Sequence, residues 1–279
     1  MSKAESKLKA QTELWRYMDV ARFLALIDRK ELYLPRLHEL QNEDASEGAA
    51  SPSDPDFRGD PEYMQRGAEH LASSLPLVSC WHENEGESVA MWKLYVSGRE
   101  GVAIKTTVSS LIQLLSVGRE LKLGRVVYRD INDFEHSPDI FIFEDGRCKG
   151  NTDILPIERN VVFRKNTGYT HEQEVRAVIY DTYCGGEAIL NTTQLHNLQA
   201  LSLGQQPERC PGVNVRVDVA LLIQGIVVSP TFPSWAIKSL QKAVDAAFFP
   251  APPIEVKPSV LLDKRTIGKK PLDQVASAR

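Results

Sequence analysis

The sequence predicts a single domain of class α+β, a mixed sheet of short strands with intervening helices. Three observations lead there. Short segments with apolar residues at a spacing of two alternate along the chain with segments at the helical spacing of three and four. Neither an internal repeat nor a dividing linker interrupts the 279 residues. A hydrophobic content of 42% is enough to bury one sizeable core.

The elements follow in order. Residues 1–12 form a charged leader, and 13–248 are expected to form the α+β domain. Residues 249–279 form a C-terminal extension with a flexible tail. Residues 13–18 read as a first strand, after which Asp19 caps a helix with Val20, Phe23, Leu24 and Ile27 on one face. A short extended piece covers 31–35, and 41–60, rich in Asp, Glu, Ser, Gly and Pro, reads as a surface loop. Asp60-Pro61 opens a helix that ends near Pro76. Strands are expected at 75–81 and 101–106, with a helix at 88–96 closed by Gly98. Residues 111–115 read as helical, 122–129 as extended, 130–153 as an acidic loop, and 156–163 as a helix. The clearest late strand is 171–180, because Val175, Ala177 and Ile179 alternate with Glu174 and Arg176. Strands at 213–219 and 225–229 precede a helix over 233–248 with Trp235, Ile237, Leu240 and Val244 as its core residues. A last strand lies near Val260.

Composition excludes several classes. The apolar stretches 219–223 and 225–228 are separated by Gln224, far short of the roughly 20 residues of a membrane span. The charged start lacks a signal-peptide core, so a cytoplasmic protein without membrane contact is expected. Cys80, Cys148, Cys184 and Cys210 are too scattered for a zinc clasp or a dense disulfide framework. A net charge of −4 gives no global attraction for phosphate backbones. The basic residues Lys264, Arg265, Lys269, Lys270 and Arg279 read as a solvated terminus. The acidic run Asp130, Asp133, Glu135, Asp139, Glu144 and Asp145 could hold a hard cation but reads as a solvated loop, so no metal site is expected. Cys80 and His82 share a strand face, which a thiol nucleophile and its base would also do. No third, orienting residue accompanies them.

Three segments are polar for their extended context: Trp15-Arg16-Tyr17, residues 78–82 (Val-Ser-Cys-Trp-His) and residues 171–176 (His-Glu-Gln-Glu-Val-Arg). With residues 42–48 (Asn-Glu-Asp-Ala-Ser-Glu-Gly) and 90–95 (Ala-Met-Trp-Lys-Leu-Tyr), in this order, they resemble a bacterial family known as domain of unknown function 2971. That family runs from an aromatic-Arg-Tyr strand to a late Glu-x-Glu-aromatic-Arg strand. The resemblance spans residues 14–245, with Val175 in place of the aromatic and Glu43 as an insertion in the loop. More distantly, an arginine on a first strand, a serine on a middle strand and a glutamate on a late strand resemble the Arg-Ser-Glu order of ADP-ribosyltransferases, whose fold is then implied.

That resemblance implies NAD as substrate and a macromolecular acceptor, protein or nucleic acid. It also implies a setting in a bacterial toxin or anti-phage defence system, with an antitoxin or defence-system partner. Arg16 would hold the NAD phosphates with its planar fork. Ser79 would orient the nicotinamide ribose. Glu174 would stabilise an oxocarbenium-like transition state, and Glu172 would activate the acceptor. Trp92 and Tyr95 would offer aromatic platforms to the cofactor. The order has this meaning only if Arg16, Ser79 and Glu174 line one pocket from neighbouring strands, and Arg16 and Glu174 on opposite faces of the sheet would sink the transferase reading. Each residue also has an ordinary alternative: Arg16 as a sheet-edge ion pair, Ser79 as a small strand filler, Trp92 and Tyr95 as core. Glu172, Glu174 and Arg176 could form an exposed charged face. An inactive nucleotide- or partner-binding sensor of the same fold would keep all of them.

Overall fold

A twisted sheet of nine strands organises the computed structural model, which describes residues 8–40, 42, 44, 47, 76–96, 98, 100–129, 139–152, 161–180 and 211–261. Strand β1 (Glu13–Asp19) leads into α1 (Val20–Arg29), where the Asp19 carboxylate accepts from the Arg22 amide at 2.8 Å and so caps the first turn. Then come β2 (Glu31–Pro35), α2 (Leu37–Leu40), β3 (Pro76–Glu83), α3 (Val89–Tyr95), β4 (Gly101–Thr107), α4 (Val108–Leu115), β5 (Glu120–Arg125), β6 (Val127–Arg129), β7 (Ile140–Glu144) and β8 (Arg147–Thr152). A 3-10 turn at Val161–Phe163, β9 (Arg164–Asn166) and a second 3-10 turn at Thr167–Glu172 precede β10 (Glu174–Tyr180). The chain finishes with β11 (Gly212–Arg216), α5 (Val219–Leu222), β12 (Gly225–Val228), α6 (Ser234–Phe248) and β13 (Val256–Pro258).

The strand order is β13-β12-β4-β1-β3-β10-β5-β7-β8, and every neighbouring pair is antiparallel except β12 with β13. Two small pairs, β2 with β11 and β6 with β9, flank it. Alternation puts Leu14, Met18, Leu77, Trp81, Ile104, Val175 and Ala177 into one core with Phe23, Leu26, Leu111 and Val244. The opposite face carries Trp15, Tyr17 and Ala103 against Met91 and Trp92, and Val78 and Val178 against Phe163. Among the described residues no helix is long and apolar enough to cross a membrane.

Several expectations are corrected. The stretch read as an acidic loop folds, from Ile140 on, into the β7–β8 hairpin, turned by Asp145 and Gly146 at φ 47° and 75°. Two successive positive φ values are what a tight hairpin turn needs. In α1 the buried stripe is Phe23, Leu26 and Ile27, while Leu24 points outward. Trp235 is 79% exposed, because α6 packs through Leu240, Val244 and Phe248. Of the helix expected at 156–163 only Val161–Phe163 is described, as a 3-10 turn, and the rest of it, like the helix opened at Asp60, lies outside the described residues. The last strand, expected near Val260, is β13 (Val256–Pro258), whose Val256 packs into the main core.

Candidate active site

The central strands carry the site. β1, β3 and β10 are neighbours, and cross-strand partners share a face. Trp15, His82 and Glu174 are successive partners, so they lie on one face, while Arg16, Ser79 and Trp81 lie on the other. Arg16 and Glu174 therefore leave the sheet on opposite sides and Ser79 stays out of the cavity, which corrects the expectation that the three line one pocket from one face. Arg16 and Glu174 nevertheless meet one cavity, because β1 and β3 pair only at Leu14 with Glu83 and Trp15 with His82. From there the strands part, and a cavity of about 440 Å³ opens between them. Arg16, Tyr17, Cys80, His82, Tyr95, Glu172 and Glu174 line it, together with Arg22 and Arg29 of α1. This volume is within the range of small-molecule sites.

On one wall, Arg16 donates from one terminal nitrogen to Ser79 Oγ at 3.2 Å and from the other to the Tyr33 carbonyl at 3.4 Å. Its guanidinium carbon lies 5.7 Å from the centre of the Trp81 ring. Ser79 is fully buried, accepts from the Trp81 indole as well (2.9 Å), and is not part of the cavity lining. Its hydroxyl fixes Arg16 rather than reaching a ribose. Trp92 is likewise absent from the lining. It packs edge-on to Tyr17 with ring centroids 4.9 Å apart, and its indole donates to Glu87 at 3.1 Å. Trp92 is core, which corrects its reading as a platform.

The opposite wall is a buried ion network, not the exposed charged face that alternation also allowed. Glu172, Glu174 and Arg176 are each at most 6% exposed. Arg176 donates to both oxygens of Glu174 (3.1 and 2.9 Å) and also to Glu47 and the Val162 carbonyl. Lys165 bonds Glu172 at 2.7 Å and sits 3.6 and 3.9 Å from Glu47 and Glu174. Tyr95 donates its hydroxyl to the other oxygen of Glu172 at 2.9 Å. Burial alone would push the Glu174 carboxyl up, but Arg176 and Lys165 outweigh it and hold the group below its ordinary range. Burial and the nearby Glu172 and Glu174 push the Tyr95 hydroxyl well up, so it stays protonated and donates. Among the described residues this network joins Glu47, Glu172 and Glu174 to Lys165 and Arg176.

Glu172 reaches the cavity by a different route from the strand alternation expected of it. It ends the 3-10 turn Thr167–Glu172, Gln173 takes φ 42°, and the strand begins only at Glu174. A left-handed non-glycine residue between two buried carboxylates is a strained position held by its surroundings. The Glu83 amide donates to the Gln173 carbonyl at 2.9 Å and fixes the turn to β3. Cys80 gives its thiol to Glu174, and burial pushes its pKa well up, so it has no thiolate to attack with. Among the described residues no group of three or more metal-ligating side chains comes together. Glu144 pairs with Lys149 and Asp145 accepts from the Gly118 amide.

Sequence reasoning missed Glu47, Lys165 and the two α1 arginines as site residues. Glu47 lay within a quoted motif, but its partner Arg176 is 129 positions away.

None of the curated proteins compared matches the chain. Among solved structures it is similar to DarT of Thermus sp. 2.9 in complex with ADP-ribosylated ssDNA (8% identity, 91% of this chain and 97% of that one, TM-score 0.39). It is also similar to the same protein in complex with NAD+ (9% identity, 91% and 98%, TM-score 0.37) and with carba-NAD+ (8% identity, 90% and 97%, TM-score 0.36). By sequence, residues 91–177, which hold α3 from Met91 on, the ion network's Lys165 and Arg176, and both cavity glutamates, match the model of the family described as protein of unknown function (DUF2971).

Proposed function

We propose that this protein is an NAD-using ADP-ribosyltransferase-like effector that modifies a macromolecule. One observation carries the reading: Arg16 and the pair Glu172 and Glu174 line opposite walls of one cavity in the split between β1 and β3. That polarity complements NAD. The Arg16 fork, preset by Ser79 and Tyr33, suits the pyrophosphate, with Arg22 and Arg29 on the same side. The wall that carries Glu172 and Glu174 suits the nicotinamide ribose, which gains positive charge as its glycosidic bond breaks. A unit charge about 4 Å from such a centre is worth about 4 kcal/mol at an effective dielectric near 20. Because Arg176 already fixes Glu174, little reorganisation accompanies the reaction.

A specific observation also favours a second reading. Both oxygens of Glu174 and both of Glu172 already accept hydrogen bonds. A nucleotide- or partner-binding sensor would use them only to shape the cavity. Incubation with NAD labelled on its adenylate, in cell extract treated in parallel with DNase, RNase or protease, separates the two. Label lost with one treatment, alongside released nicotinamide, supports the transferase and names the acceptor class. Tight calorimetric NAD binding with no label supports the sensor, and neither binding nor label overturns both. A toxin or defence role further requires that expression arrest a bacterial host and that Glu174→Gln relieve the arrest.

A further inference from the structure

β3 places His82 on the face that carries Glu174, its cross-strand partner. The imidazole is 4% exposed and lines the cavity. Its Nδ1 lies 2.5 Å from the carbonyl oxygen of Glu172. A carbonyl only accepts, so Nδ1 carries the proton and Nε2 bears the lone pair. Nε2 has no partner among the described residues. Leaving such a buried acceptor unsatisfied is costly, and a ligand donor brought to this ring in the cavity that His82 lines would relieve that cost.

The surroundings keep this ring neutral and fixed. Burial lowers its pKa from 6.5, which outweighs the upward pull of Glu172 and Glu83, while His171 pushes in the same direction as burial. Glu174 faces it from β10. From β1 the Tyr17 ring meets it edge-on, 6.2 Å between centroids, with the Tyr17 hydroxyl pushed up to about 12 and therefore uncharged. The carboxylates are worse placed to take a proton. Glu172 is held by Tyr95 and Lys165, and Glu174 by Arg176.

We infer that His82 Nε2, not Glu172, is the proton acceptor of the transfer step. This rests on the NAD reading above. As the acceptor's oxygen or nitrogen bonds to C1′ of the nicotinamide ribose, its O–H or N–H proton passes to Nε2. The C1′–N1 bond breaks, and its electron pair neutralises the departing nicotinamide. The imidazolium then releases the proton to solvent, so NAD+ and the acceptor give ADP-ribosyl-acceptor, nicotinamide and H+. Glu172, through its carbonyl, sets the tautomer.

The test is single-turnover nicotinamide release from NAD between pH 5 and 8, with calorimetric NAD affinity measured in parallel. For the wild type, release rises with pH to a plateau, with its half-rise below the ordinary histidine value. His82→Asn keeps a donor for the Glu172 carbonyl but has no base. It should keep NAD affinity, lose about 10²–10⁴ in rate, and lose the pH rise. Added imidazole should restore release to His82→Ala, which a merely structural histidine would not show. Full release by His82→Asn with the wild-type pH profile overturns this inference and leaves the NAD reading standing. A wild type that neither binds NAD nor releases nicotinamide overturns both.

Discussion

Under the proposed function, Glu174 serves both stability and chemistry. Its two-point contact with a fully buried Arg176 means that Glu174→Gln strands part of a buried charge. Breaking such a pair costs about 3 kcal/mol, readable by denaturant unfolding. On the folded variant, nicotinamide release should fall by about 10²–10³ while NAD affinity changes far less. Arg16→Ala should weaken NAD binding instead, and Arg16→Lys should not restore it, because an ammonium cannot reproduce the fork. Ser79→Ala should lower affinity through Arg16, with a stability loss of about 1 kcal/mol from its two lost hydrogen bonds. The network also sets the pH range of stability. The folded Glu174 carboxyl lies below its ordinary 4.5, so its contribution is complete above that value and is lost as pH falls through the lower folded pKa. For Lys165, burial alone would lower the pKa, but Glu174, Glu172 and Glu47 raise it above 10.5, so its contribution is lost only as pH rises beyond that. Melting temperature should hold from about pH 6.5, below which the lowered pKa of buried His82 costs stability, to about pH 9, above which the raised pKa of buried Cys80 does, and Glu174→Gln should blunt the limb below 4.5.

At the scale of elements, α3 and the turn before β10 hold the cavity wall. Gly101, where the chain enters β4, has no room for a side chain: a Cβ would lie 2.5 Å from Val96 and 3.1 Å from Trp92. Gly101→Ala should destabilise by about 1–3 kcal/mol and loosen Tyr95, which α3 presents to Glu172. Differential scanning calorimetry checks the first effect and NAD affinity the second. The three site strands were legible because Trp15-Arg16-Tyr17, Ser79-Cys80-Trp81 and Glu174-Val175-Arg176 combine strand alternation with unusual polarity. The β7–β8 hairpin was legible too, in Asp145-Gly146, but the acidic composition around it masked the turn signal. Other features lay beyond local reading. Pairing of Glu47 with Arg176 depends on which distant segments meet, and the exposure of Trp235 depends on which stripe of α6 finds the core. Alternation alone places Arg16 and Glu174 on opposite faces. Only the parting of β1 from β3, a tertiary event, brings them to one cavity.

The described residues are built on one sheet at whose centre β1 and β3 separate and a polarised cavity takes the place of ladder hydrogen bonds. α1 and β2 cover one side of that opening, and α3 with the Thr167–Glu172 turn supplies the other. Cationic and anionic groups thus face each other across a space of small-molecule size, with Glu47, Lys165 and Arg176 setting the charge of one wall from behind. The central claim is that this opening holds NAD between Arg16 and Glu174, and a crystal structure with a non-hydrolysable NAD analogue tests it most directly. The pyrophosphate should lie on the Arg16 guanidinium and the nicotinamide ribose against Glu174. An analogue bound elsewhere, or an empty split at saturating analogue, would contradict the claim.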